Sequence, residues 1–86
     1  MITEFSKAVC VPELEILGRE RGRLSDIRET YWLLLYENGF NYQEIGKLCG
    51  RTHATILSGI RRIRQLLESG DREITRIREL TKNIKR

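Results

Sequence analysis

Residues 44–67 read EIGKLCGRTHATILSGIRRIRQLL. In them Ile56, Ile60, Ile63 and Leu67 recur at i, i+4, i+7 and i+11. At about 100° per residue they fall in one narrow stripe, the pattern of a helix laid on a core. The other side carries Ala54, Ser58, Arg61, Arg62 and Gln65, all small, polar or cationic. Thr52 suits the N-cap, because a hydroxyl there accepts a bond from an otherwise unpaired backbone N–H. Gly50 can take the left-handed conformation that ends a preceding helix. That helix is expected over about 42–48, burying Ile45 and Leu48. Gly46 lies between them, where a side chain would block a close helix crossing. Two helices joined by about three residues with a glycine make a helix-turn-helix. The small, basic outer face of the second helix suits a DNA groove.

Outward from this hairpin the chain reads as helix throughout. Upstream, Ile27, Tyr31, Leu34 and Leu35 form a helical stripe, and Trp32, Leu33 and Tyr36 make the segment apolar almost all round. In so short a chain such a helix is the central beam. Asp26 and Glu29 have the spacing of a capping box at its start, and Asn38-Gly39 supplies its stop. Asn41 can cap the first helix of the hairpin. Residues 18–25, GRERGRLS, hold no apolar period and read as a loop. A first helix is expected over about 3–11, capped by Thr3 or Ser6, with Ile2, Phe5 and Val9 inward. Pro12–Leu17 reads as one short helical turn with Leu14 and Leu17 on one side. Downstream, Ser69-Gly70 breaks the chain, and Asp71 caps a last helix to about residue 84. Its seam is Ile74, Ile77, Leu80 and Ile84. The expected fold is all-α: a single domain over 1–86, a compact helical domain of about five helices with a central helix-turn-helix.

Eighty-six residues allow one small core. The formal net charge is +4, and its distribution is more informative than its size. Residues 49–67 carry four arginines and no acid, and residues 18–28 carry four arginines against Glu20 and Asp26. An acid-free basic helix beside a basic loop is the footprint expected of a polyanion reader. No apolar run approaches a membrane span, and MITEFSKAVCV is not built like a secretory leader. The expected location is cytoplasmic. Cys10 and Cys49 are too few for a disulfide scaffold and read as small buried residues. Neither GxxxxGK[ST] nor GxGxxG occurs, no strand would support either, and no acid dyad or metal cluster stands out. Hence no nucleotide, cofactor, metal or catalytic activity is expected.

GRTHATILSGIRRI resembles the signature of the C-terminal duplex-binding domain, domain IV, of the bacterial replication initiator DnaA. That domain belongs to a Trp-repressor-like helix-turn-helix superfamily. The signature reads approximately G-R-D-H-T-T-V-L-H-A-x-R-K-I. Gly50, Arg51, His53, Thr55, Leu57 and Ile63 match it, Ile56, Gly59 and Arg62 are close substitutions, and Glu44-Ile45-Gly46 matches the family's E-I-G upstream. The likeness covers most of the chain by order of elements and is specific over about 44–63.

What the resemblance implies is sequence-selective binding of double-stranded DNA, in replication initiation at an origin or in transcription control. The family's ATPase module has no counterpart in these residues, so no ATPase activity is expected. The DNA-binding residues it implies are Arg51, Thr52, His53, Ala54 and Thr55 at the start of the recognition helix, and Arg21 in the loop. The family places an arginine of that loop in the minor groove. Counting back from Glu44-Ile45-Gly46 without gaps selects Arg21, with Arg19 or Arg23 the choices on a slip. Arg61 and Arg62 lie about two turns into the helix and are expected to meet phosphates if they touch DNA. Thr52 stands where the family has Asp, and Ala54 where it has Thr, so the preferred site need not be the family's usual one. Two other readings remain: a protein-interaction module docking a partner on Trp32 and Tyr36, and a repressor-like or sigma-like helix-turn-helix of another family.

Overall fold

In the computed structural model, which describes residues 1–86, the chain forms six helices and no strand. They are α1 (Ile2–Val9), α2 (Glu13–Leu17), α3 (Arg23–Glu37), α4 (Tyr42–Cys49), α5 (His53–Glu68) and α6 (Arg72–Thr81). The helix beyond the expected five is α2, where the Pro12 carbonyl accepts from the N–H groups of Glu15 and Ile16 at 3.0 and 3.2 Å.

The beam is α3, which touches every other helix. Ile27, Arg28, Thr30 and the whole run Tyr31–Leu35 are buried. It begins at Arg23, not at Ile27, so the expected Asp26–Glu29 capping box does not form. Two attachments explain the early start. Arg23 Nε meets Glu73 Oε1 of α6 at 2.5 Å, and both carboxylates of the supposed box are drawn to Arg62 of α5. Across α3 lies the stripe of α5, with Ile56, Ile60 and Ile63 wholly buried. Gly59 is the point of closest approach: a Cβ there would sit 2.6 Å from Trp32 Cζ3.

Three leucines expected in the core are outside it. Leu14 is 84% exposed, Leu48 58% and Leu80 50%. Their places are taken by Ile16, Cys49 and Thr81. On α4 the buried positions are Ile45, Gly46 and Cys49, and Leu48 falls on the next face round. The last helix ends at Thr81 rather than near residue 84; Thr81 gives its hydroxyl proton to the Ile77 carbonyl at 2.9 Å and so sits in the core without an unpaired polar group. The first helix also ends sooner, at Val9, and Thr3 and Ser6 do not cap it. Cys10 takes a left-handed conformation that closes α1 and leaves its thiol exposed, whereas Cys49 is buried.

Candidate nucleic-acid interface

The hairpin of α4 and α5 is fixed by its own caps. Asn41 Oδ1 accepts from the Glu44 N–H at 2.8 Å, and Glu44 Oε1 accepts from the Asn41 N–H at 2.9 Å, a complete capping box. Gly50 ends α4 at φ 68, a conformation that costs a glycine nothing. The Arg51 N–H then returns to the Gly46 carbonyl at 2.8 Å. A Cβ on Gly46 would lie 2.5 Å from the Arg51 carbonyl oxygen, so the backbone of the turn, rather than a helix crossing, excludes a side chain there. Thr52 caps α5: its Oγ1 accepts from the Thr55 N–H at 3.3 Å and lies 3.0 Å from Thr55 Oγ1. The two hydroxyls act as one polar cluster at the helix start.

Thr52, His53, Ala54 and Thr55 are all exposed. Ser58 and Arg61 continue the same outward face, and Arg61 has no ion-pair partner. Arg62 is different. Its Nη1 donates to Glu29 Oε1 at 2.7 Å, and Asp26 Oδ1 is equally close yet receives no well-directed hydrogen bond. Burial pushes the Glu29 carboxyl above its ordinary range, while the bond from Arg62 pulls it down.

Arg21 is exposed at the tip of the loop between α2 and α3. That loop is clasped to the turn of the hairpin in both directions. Arg19 Nη2 donates to the Gly50 carbonyl at 3.2 Å, and Arg51 Nη2 donates to the Gly18 carbonyl at 2.5 Å. The second Arg51 nitrogen, Nη1, donates to Cys49 O at 3.0 Å, and the guanidinium lies 5.9 Å from the centre of the Trp32 ring. Arg51 therefore folds back toward the loop and away from the outward face of α5. Beneath the loop, the buried Arg28 donates to the carbonyls of Ile16, Glu20 and Glu15 at 2.8, 2.8 and 3.0 Å.

An open groove of about 560 Å³ runs between loop and α5, lined by Arg19, Arg21, Ser25, Arg28, Glu29, Trp32, Arg51, Thr55 and Arg62. Four of the residues expected to bind DNA meet there: Arg21, Arg51, Thr55 and Arg62. Ala54 lines the neighbouring depression with Thr55, Ser58 and Arg62, while Thr52, His53 and Arg61 lie outside both. Sequence reasoning passed over Arg28, named Arg19 only as the alternative to Arg21, and gave Asp26 and Glu29 to a capping box instead of to Arg62. For Arg28 a signal existed: it shares a helical stripe with Trp32 and Leu35, and a cation on an apolar stripe is a buried cation that needs acceptors.

Trp32 is only 4% exposed, and the half-buried Tyr36 stacks on Tyr42 at 4.8 Å. No helix is long and apolar enough to cross a membrane. No group of three or more His, Cys, Asp or Glu is placed to hold a metal ion. Neither a protein-family model nor a curated protein matches this chain.

Proposed function

We propose that the protein reads double-stranded DNA in a sequence-selective way, with the first turns of α5 in the major groove and Arg21 reaching the minor groove beside it. One observation carries this reading: four successive exposed side chains, Thr52 to Thr55, open a helix flanked by an arginine-lined groove. Helix-turn-helix proteins present the N-terminal residues of the recognition helix to base edges. Arginine is well suited to a narrow minor groove, where the negative potential is enhanced. The likeness of residues 44–63 to DnaA domain IV supports a cytoplasmic role in origin binding or transcription control, with duplex DNA as partner and no chemistry on it.

Selection from random duplexes is the test, since it yields a motif only if the protein discriminates. Binding of the selected duplex should then fall with salt. Neutralising four to five phosphates gives a slope of log affinity on log salt of roughly −4. A slope near zero, or no enriched motif, overturns the proposal.

The carboxylates beside Arg62 make a second expectation. Asp26 and Glu29 place negative charge against Arg62, one of the arginines that line the groove. Glu29→Gln keeps an acceptor for Arg62 but removes a charge, so Asp26 is left as its one anionic partner and the groove becomes more positive. Target and random duplexes should both bind more tightly, by about threefold to tenfold at low salt, and the salt slope should steepen by about one. Unchanged affinity and slope would mean that Arg62 and its partners lie away from the DNA.

A further inference from the structure

Arg19, Arg28 and Arg51 converge on one groove without a carboxylate among their partners. The ion pairs of the protein are made by other cations: the N-terminus, Arg23, Arg62, Arg78 and Lys82. Glu29 also lines the groove, but its carboxylate is taken by Arg62. The three guanidiniums satisfy themselves with backbone carbonyls, which supply dipoles and no charge. Arg19 spends one N–H group in this way and Arg51 two, so most of each planar fork stays free. Arginine does not escape repulsion by losing its proton. Burial and the neighbouring arginine both act against the charge on Arg28 and on Arg51, with Glu20 and Glu29 offsetting part of this at Arg28, and both pKa values are lowered. An anion in the groove would relieve that repulsion and take up the free donors.

We infer that this groove seats one backbone phosphate of the DNA strand, held by the forks of Arg19 and Arg51 with the Thr55 hydroxyl at its rim. The inference rests on the proposed docking and makes it more definite. If α5 enters the major groove and Arg21 the adjoining minor groove, the strand that separates the two grooves must pass between α5 and the loop. The space between them is this groove. Trp32 lines it together with Arg19 and Arg51, whose guanidiniums are held by the Gly50 and Gly18 carbonyls. The clasp also gives the site its geometry. Donors fixed to the scaffold before binding need not be ordered by the ligand, and paired N–H groups of a guanidinium match two phosphate oxygens. Arg28 supports the site from within the fold, tying the end of α2 and the loop to α3 through the carbonyls of Glu15, Ile16 and Glu20.

The test is a walk of single neutral methylphosphonates along both strands of the selected duplex. Wild-type protein should lose about tenfold in affinity at one phosphate, or two adjacent ones, between the major-groove motif and its flanking minor groove. Arg19→Gln should bind more weakly and lose a clearly smaller factor on that same substitution, because only the Arg51 half of the contact remains. Arg51→Gln should behave likewise if circular dichroism shows it folded; Arg19 is exposed, so its variant serves even if Arg51→Gln is not. If the duplex binds tightly but no phosphate in that stretch matters more than the others, or if Arg19→Gln keeps the full sensitivity, the site is wrong and the DNA-reading function stands. If no duplex binds, the function fails and the site with it.

Discussion

Gly59→Val should destabilise the domain by about 3 kcal/mol, the upper end of what overpacking a core costs. A Cβ at position 59 would lie 2.6 Å from Trp32 Cζ3, 2.7 Å from Cε3 and 3.0 Å from Glu29 Cγ. Trp32 is 4% exposed on the helix that all others pack against, so moving its ring disturbs that packing. Alanine at this site faces two opposed effects. It gains about 1 kcal/mol of helix propensity over glycine and meets the same ring, so its net cost should be smaller, about 1–2 kcal/mol. Valine adds two methyl groups on the crowded side and loses part of the propensity gain. For a domain of this size about 3 kcal/mol corresponds to a fall in melting temperature of roughly 12–24 °C. Thermal unfolding followed by circular dichroism measures it. A valine variant melting within about 2 °C of wild type would show that α3 and α5 do not approach this closely.

That contact also illustrates what a sequence hides. Position 59 matched the family signature as one small residue for another, and nothing local marked Trp32 as its neighbour. The stripe of α5 was legible because Ile56, Ile60 and Ile63 repeat over several turns and one face alone is buried. The caps were legible for a different reason: Thr52, Asn41 and Asp71 each bond a backbone N–H three residues on, so cap and partner sit together in the chain. Short helices defeated the same reasoning. Five residues of α2 contain no full repeat, and Leu14 and Ile16 are equally apolar candidates for the core; only the packing chose Ile16. The start of α3 was misplaced because a helix buried almost all round has no polar face to date its beginning. Asp26 and Glu29 have cap spacing, yet their partner is Arg62, far along the chain. The site divides in the same way. The exposed run Thr52–Thr55 follows from the local cap, whereas the inward turn of Arg51 depends on a carbonyl at Gly18, across the fold.

Within α5 the proposed function divides reading from holding, and His53 is where that division is sharpest. It is the first residue of the helix, exposed, and its side chain makes no hydrogen bond in the protein. Removing it therefore takes nothing from the fold. Thr52 is less free, since its oxygen already serves the cap. His53→Ala should cost about 1–3 kcal/mol on the selected duplex, the worth of a base-edge contact, and little on a scrambled one. Arg61→Ala is the matched control. Arg61 is exposed on the same helix without an acidic partner, about two turns further on, where side chains meet the backbone rather than bases. Phosphate contacts carry no sequence information directly, so its loss should weaken both duplexes alike and flatten the salt slope by about one. Arg62 could not serve as that control, because Arg62→Ala would also leave Asp26 and Glu29 unneutralised beside the DNA. Binding isotherms of wild type and both variants on the two duplexes, with circular dichroism for folding, decide the matter. Should His53→Ala weaken both duplexes equally, the first turn of α5 grips without reading, and base recognition must come from elsewhere than Thr52 to Thr55.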